Sequence, residues 1–202
     1  MLTPYKAYFR RAPEAVAKVF IRLGFSPNGI TLFGLLLGLL TCFLFISTKN
    51  TVLFGFLMIA WGLFDAVDGA AARLTNKITK FGSYLDAMCD RLFESAAVLA
   101  AAYVTGYWVL CFLLGVGALL ISYAKARAAM EIQVSNTEWP DFMERTERDF
   151  IFAIGIILWG FFPGIFVGHD LFFWILLGLD LAVYGTLVQR VLRAKRFIEA
   201  RP

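Results

Sequence analysis

The sequence predicts an all-α integral membrane protein, in which six transmembrane helices follow an N-terminal amphipathic helix. Three observations lead to this prediction: the apolar composition, the length of the apolar segments and the distribution of basic residues. Of the 202 residues, 60% are hydrophobic and 17% are charged, and the mean hydropathy is +0.72. A typical soluble domain has about 25% charged residues. A water-soluble globule of this size could not bury so much apolar surface, which excludes a soluble enzyme, a disordered chain and a nucleic-acid-binding protein.

Six apolar segments are long enough to cross the hydrocarbon core, which requires about 20 mostly apolar residues in a helix. They cover residues 28–48, 51–73, 83–105, 107–130, 148–168 and 171–193. The connections between them are short, apart from a polar stretch near residues 131–147. We therefore expect a single six-helix transmembrane domain over residues 28–202.

Residues 1–27 differ from these segments because apolar and basic side chains are interleaved at helical spacing. The apolar set is Tyr5, Tyr8, Phe9, Val16, Val19, Phe20 and Leu23, and the basic set is Lys6, Arg10, Arg11, Lys18 and Arg22. This pattern predicts an amphipathic helix that lies in the membrane interface against anionic headgroups.

The basic residues also predict the orientation of the chain in the cell membrane. They fall in the N-terminal segment, after the second and fourth spans, and at the C-terminus, and of the 19 Lys and Arg residues only Lys49 lies on the other side. Basic residues are enriched on the cytoplasmic side of membrane proteins. Both termini, and any polar site near them, are therefore expected on the cytoplasmic side.

Four aspartates are expected to meet at this face of the membrane. Asp65 and Asp68 are three residues apart at the end of the second span, and Asp86 and Asp90 are four residues apart in the third. Each pair lies on one helix face, and the short connection makes the two helices antiparallel neighbours. Ionisable residues in membrane spans are costly and indicate function. Carboxylate oxygens without a nearby histidine favour Mg²⁺ or Mn²⁺.

Small residues follow the first aspartate pair. Gly69 and Ala72 would let a ligand approach the helix closely, and Arg73 adds a positive charge beside them. A cleft with divalent ions, small-residue walls and an arginine is suited to a pyrophosphate.

Together these residues form one long pattern, Asp65-x2-Asp68-Gly69-x2-Ala72-Arg73-x8-Gly82-x3-Asp86-x3-Asp90. It resembles the signature of the CDP-alcohol phosphotransferase family at all eight positions. The six-span layout and the basic N-terminal helix are also similar to that family. The resemblance implies a homodimeric transferase that takes a CDP-linked lipid, transfers its phosphoryl-bearing moiety to an alcohol and releases CMP.

The same resemblance implies roles for individual residues. Asp65, Asp68 and Asp86 would hold divalent metal, two ions of Mg²⁺ or Mn²⁺, and Asp90 would be the general base and also touch a metal. The implied donor-binding residues are Asn28, Thr31, Asp68, Gly69, Ala72, Arg73 and Gly82. Asn28 and Thr31 could instead belong to a helix cap after Pro27.

Basic residues near the ends of three spans favour an acceptor that carries its own phosphate, because arginine grips phosphate with two hydrogen bonds. The segments Ser122-Tyr123-Ala124-Lys125-Ala126-Arg127 and Glu144-Arg145-Thr146-Glu147-Arg148 resemble the phosphatidylinositol-phosphate synthase branch of the family. The resemblance implies inositol 1-phosphate as the acceptor, bound by Lys125, Arg127, Arg145, Arg148 and Arg190.

Several alternatives remain open at the level of the sequence. Glycerol 3-phosphate is a competing phosphorylated acceptor, the donor could be an ester or an ether lipid, and the basic residues could serve only as cytoplasmic anchors. An aspartate-rich prenyltransferase and a cation transporter are alternative functions for the carboxylates. Asp180, inside the sixth span, has no assigned role.

Overall fold

Seven α-helices and one two-stranded hairpin make up the described part of the chain. The computed structural model describes the backbone of residues 3–132 and 142–200, and the side chains of residues 12–132 and 142–199. The helices are α1 (Thr3–Arg22), α2 (Pro27–Thr48), α3 (Thr51–Leu74), α4 (Lys80–Thr105), α5 (Trp108–Glu131), α6 (Arg145–Phe161) and α7 (Leu171–Ala200). Strands β1 (Ile165–Phe166) and β2 (His169–Asp170) pair antiparallel between α6 and α7.

Side-chain caps mark where α2, α3 and α4 begin after short turns. The Ser26 hydroxyl accepts a hydrogen bond from the Gly29 amide at 3.1 Å, and Asn50 Oδ1 accepts one from the Leu53 amide at 2.9 Å. At the start of α4, Thr79 Oγ1 accepts a hydrogen bond from the Gly82 amide at 2.9 Å. Each cap satisfies a backbone donor that has no partner within its helix.

Four helices in the described ranges, α2, α3, α5 and α7, are long and apolar enough to cross a membrane. Helix α4 has similar length but carries several charged residues in its first half, and α6 has only 17 residues and begins with a charged turn. The all-helical, multi-pass class is therefore confirmed, whereas the number of six spans stays a prediction. Helix α1 forms within the predicted segment 1–27, and its place in the membrane interface also stays a prediction; the side chains of residues 1–11 lie outside the described residues.

The predicted end of the fifth segment was wrong, and the helix of the sixth segment extends beyond the predicted span. Helix α6 ends at Phe161 rather than near residue 168, because Pro163 disfavours helical geometry just before it and the hairpin turns at Val167 and Gly168, both with positive φ. Helix α7 continues to Ala200 rather than stopping near 193, because arginine and lysine favour helix even where the apolar run has ended.

Helix α3 lies against three other helices, α1, α2 and α6, while α5 packs mainly against α7 and α4. Trp61 of α3 contacts both α2 and α4 close to Asp65. Its indole nitrogen donates a hydrogen bond to the Gly34 carbonyl at 2.8 Å, and its ring stacks on Phe93 of α4 at 3.7 Å between centroids. One residue of α3 thus fixes α2 and α4 in place, one helical turn from Asp65.

Glycines allow these helices to approach closely. A Cβ at Gly38 would lie 2.5 Å from the Phe93 ring, and a Cβ at Gly55 would lie 2.8 Å from the Ala153 carbonyl of α6. Both distances are shorter than a van der Waals contact, so a larger residue would push α2 away from α4 at Gly38, or α3 away from α6 at Gly55.

Candidate active site

Three carboxylates meet where the end of α3 adjoins the first half of α4. Asp65, Asp86 and Asp90 each offer an oxygen atom, and these atoms lie within 4.8 Å of one another. Asp86 and Asp90 are one turn apart on α4, so both face Asp65 on α3. We call these three residues the carboxylate cluster. The predicted convergence therefore occurs for three of the four aspartates.

Asp68, the fourth aspartate, faces α2 instead. Its Oδ2 accepts a hydrogen bond from the Thr31 hydroxyl at 2.5 Å, and its Oδ1 accepts one from the Gly69 amide at 2.5 Å. These two hydrogen bonds hold the Asp68 carboxylate against α2 and its own helix, whereas Asp65 has an oxygen close to those of Asp86 and Asp90. Asp68 therefore links the cluster to α2, a contact that the sequence did not predict.

Arg145 at the start of α6 forms ion pairs with the carboxylate cluster. Its Nη1 bonds to Asp90 Oδ2, its Nη2 lies 3.9 Å from Asp65 Oδ2, and its Nε donates to Asp149 Oδ2 at 3.2 Å. Arg91 lies 3.8 Å from Asp90 and donates a hydrogen bond to the Ser122 hydroxyl at 2.8 Å. The resemblance implied that Arg145 contacts the acceptor, and the structure places it beside the proposed metal ligands.

The cluster fits a hard divalent cation. Asp90 is 6% exposed, and its Oδ1 atom has no hydrogen-bond partner among the described residues. A buried oxygen without a partner is costly, and a bound cation would remove that cost. All candidate ligand atoms here are carboxylate oxygens, which Mg²⁺ and Mn²⁺ prefer.

A cavity of about 220 Å³ adjoins the cluster between the start of α2, the end of α3 and the start of α4. Its lining includes every residue for which the resemblance implied a donor contact: Asn28, Thr31, Asp68, Gly69, Ala72, Arg73 and Gly82. Asp86 also lines it, so the cavity opens directly onto the cluster. Gly82 favours this shape, because a Cβ there would lie 3.0 Å from Thr79 Oγ1 and 3.2 Å from Asn28 Oδ1 and both side chains would have to shift.

The other four basic residues implied for the acceptor lie on α5, α6 and α7. Lys125 is half-buried, and Arg127 is exposed and pairs with Glu131 at 2.5 Å. Arg148 is buried and binds Glu94, and Arg190 is buried and donates a hydrogen bond to the Ile121 carbonyl. These contacts give the five basic residues different surroundings, which the sequence did not distinguish.

Sequence reasoning missed two acidic residues that support the site, Glu94 and Asp149. Glu94 lies four residues after Asp90 on α4, and Asp149 lies four residues after Arg145 on α6. Helical spacing places each on the face of its predecessor, which was the available signal.

Comparison with known proteins agrees with the geometry. A family model described as CDP-alcohol phosphatidyltransferase matches residues 25–184. The chain belongs to this family of membrane transferases. It is 32% identical to archaetidylinositol phosphate synthase of Pyrococcus horikoshii over 201 residues, 98% of this chain and 99% of that one. It is 31% identical to phosphatidylinositol phosphate synthase of Corynebacterium glutamicum, covering 90% of this chain and 83% of the relative.

Solved structures show the same likeness. Phosphatidylinositol phosphate synthase of Mycobacterium tuberculosis with CDP-DAG bound has a TM-score of 0.79 and 26% identity, covering 91% of this chain and 94% of that one. The same enzyme in complex with manganese and citrate has a TM-score of 0.78, 26% identity and coverage of 90% and 88%. This protein is therefore an enzyme, a CDP-alcohol phosphatidyltransferase, and the transporter and prenyltransferase interpretations are wrong.

The carboxylate cluster predicts a divalent-ion site that can be measured without substrate. We expect Mn²⁺ to bind purified protein and the variant Asp86→Asn to bind it at least about tenfold more weakly, because the variant removes a charge from a poorly solvated cluster. Electron paramagnetic resonance of free Mn²⁺ gives the affinity. Glu199→Gln, which alters an exposed residue paired with Lys195, is the control and should bind Mn²⁺ like the native protein. Equal affinity in Asp86→Asn would contradict the site.

Proposed function

We propose that this enzyme transfers the phosphatidyl or archaetidyl group of a CDP-linked lipid to inositol 1-phosphate and releases CMP. The observation that supports it most strongly is the single cavity that gathers all seven implied donor residues and opens onto the carboxylate cluster. The names of the relatives from Pyrococcus and Corynebacterium support the same reaction class.

The cavity suits the CDP part of the donor. Its glycines leave room beside the backbone, and at Gly69 an added Cβ would lie 3.3 Å from Arg73 Nη1. Arg73 is exposed at the end of α3, where its charge favours a diphosphate. The lipid chains would remain in the bilayer while the diphosphate lies in the cavity.

The variant Gly82→Ala tests the donor site. We expect its KM for CDP-diacylglycerol to rise by about tenfold, because the new methyl group displaces Asn28 and Thr79 from the cavity wall. Gly178→Ala is the matched control, since a Cβ there meets nothing within 4 Å, and its KM should equal that of the native enzyme. An unchanged donor KM in Gly82→Ala would argue against this cavity as the donor site.

Asp65, Asp68, Asp86 and Asp90 are the proposed metal ligands, for two ions of Mg²⁺ or Mn²⁺. When bound, these ions would offset the negative charge of the diphosphate and of the departing CMP. Asp68 would contribute while its other contacts, to Thr31 and the Gly69 amide, hold its side chain in a fixed orientation. The manganese complex of the mycobacterial relative supports a divalent-ion requirement.

Asp90 is the proposed general base. Arg145 holds one carboxylate oxygen, and the other has no partner among the described residues and would accept the proton when it is not bound to a metal ion. The acceptor hydroxyl would give its proton to Asp90 as its oxygen bonds to the lipid-side phosphorus. The bond from that phosphorus to the bridging oxygen breaks, and CMP leaves with that oxygen.

Replacing Asp90 with Asn removes the proton acceptor with little change in size. We expect CMP release from CDP-diacylglycerol and inositol 1-phosphate to fall by at least about a hundredfold, since general base catalysis contributes about 10²–10⁴-fold. Thermal unfolding in detergent should confirm that the variant is folded. A folded Asp90→Asn enzyme with native turnover would contradict the assignment.

The acceptor is proposed to bind through its phosphate to basic residues at the same end of the bundle: Lys125, Arg127, Arg145, Arg148 and Arg190. Arg145 is the member that already lies beside Asp90, where an acceptor hydroxyl must come. Arg148 and Arg190 form the buried side of this group, and Lys125 and Arg127 form its more accessible side. A neutral alcohol would not require so many positive charges.

A panel of acceptors tests this choice directly. Inositol 1-phosphate, glycerol 3-phosphate, serine and inositol are each supplied with Mg²⁺ and either an ester or an ether CDP-lipid, and CMP release is measured. We expect the highest kcat/KM with inositol 1-phosphate and little activity with unphosphorylated inositol, since a site built around phosphate binds poorly without it. Preference for glycerol 3-phosphate would replace the proposed acceptor, and preference for serine or inositol would refute a phosphate-binding role.

We propose that residues 1–27 form an interfacial helix and residues 28–202 form the six-helix transmembrane domain of a homodimer. Ala17 is buried against α3, while Val16 and Val19 are exposed beside the exposed basic residues Lys18 and Arg22. This arrangement suits a helix that rests on α3 and presents apolar and basic groups to a membrane surface. With the basic residues on the cytoplasmic side, the cavity faces the cytoplasm.

A further inference from the structure

Two ion pairs connect α4 to α6 beside the site. Asp90 pairs with Arg145, and one helical turn further along α4, Glu94 pairs with Arg148. Arg148 donates to Glu94 Oε1 from Nε at 2.8 Å and also from Nη2. The pairs are in register because Asp90 and Glu94 are four residues apart and Arg145 and Arg148 three, so each set lies on one helix face.

These ion pairs link α4 and α6, although each of these helices packs mainly against other helices. Helix α6 packs along α3 and α7, whereas α4 packs along α2 and α5. Side chains of α4 and α6 meet around a small cavity of about 20 Å³ beside Glu94, Arg148 and Asp149. The direct contact between α4 and the first turn of α6 is therefore made by long side chains, and close backbone packing between these two helices contributes little to it.

The Glu94–Arg148 pair is buried among apolar groups. Glu94 is 8% exposed and Arg148 is 3% exposed, and neighbouring Phe93 and Phe152 are each 3% exposed. Replacing such a pair by apolar residues of similar size is often neutral or stabilising, because the charges lose hydration when buried. Fold stability alone is therefore a poor explanation for the pair.

We infer that Glu94 and Arg148 are positioning residues, which fix the first turn of α6 against α4 so that Arg145 holds Asp90 in its orientation. Arg145 reaches Asp90 and Asp65 from that turn, and Asp149, one turn later on α6, accepts a hydrogen bond from its Nε. The inference rests on the proposed function, in which Asp90 is the general base. It also refines the role of Arg148, since its Nε and Nη2 bind Glu94 and that face of the guanidinium does not contact an acceptor phosphate.

The double variant Glu94→Leu/Arg148→Met tests this inference. We expect its thermal unfolding temperature to stay close to that of the native enzyme, its donor KM to be unchanged and its kcat to fall about ten- to a hundredfold, because small displacements of reacting groups are costly. Amide hydrogen exchange in residues 145–152 should be faster. The control Lys195→Met/Glu199→Leu removes an exposed ion pair of α7 and should leave all four quantities unchanged.

The outcomes separate this inference from the proposed function. Native kcat, or native exchange in residues 145–152, in the folded double variant would overturn the positioning role. If the native enzyme releases no CMP with any acceptor, the proposed function fails, and the exchange measurement still decides whether the pair holds α6. If the double variant does not fold, Arg148→Lys replaces it, since lysine keeps the charge but cannot bind Glu94 through two nitrogens; native kcat in that variant would overturn the inference.

Discussion

The structure depends on the cost of holding carboxylates together in an apolar helix bundle. Asp65, Asp86 and Asp90 offer oxygens within 4.8 Å of one another, and like charges at that distance repel strongly wherever water is scarce. Each of these aspartates lies on a helix in which most of the other residues are apolar. Such an arrangement is stable only with positive charge nearby, from Arg145 and Arg91 or from bound cations. The basic surroundings of the cluster follow from this requirement.

The rest of the fold holds the two helix ends that carry these carboxylates. Side-chain caps fix the start of α4, and Trp61 of α3 contacts both α2 and α4 one helical turn from Asp65. The Thr31–Asp68 hydrogen bond brings the start of α2 into the cavity wall. The cavity is therefore built by three helices, while α6 reaches the carboxylates through Arg145.

The sequence predicted those parts of the site that depend on local helical spacing. Asp86 and Asp90 share a face because they are four residues apart, and a short turn was enough to bring Asp65 opposite them. Asp68 could not be placed, because its direction depends on Thr31, 37 residues earlier. The sequence also could not predict the partners of Arg145 and Arg148, because Asp90 and Glu94 are more than 50 residues away along the chain. The end of α6 was missed because apolar residues continue beyond Pro163 into a hairpin.

The hydrogen bond from Trp61 to Gly34 has a consequence for how the enzyme exchanges substrates. The indole bridges three helices at once, so sliding α3 past α2 would break that bond and unstack Phe93 in the same movement. Separating these helices to admit a lipid would therefore cost both the hydrogen bond and the ring stacking of Trp61. The polar turn at residues 75–79 is mostly exposed and borders the cavity at Lys77, Ile78 and Thr79. Within the described part of the chain, no side chain of this turn links two other helices as Trp61 does, so the turn can move at lower cost. Substrate entry and release would then depend on movement of residues 75–79, while α2, α3 and α4 keep their positions during turnover.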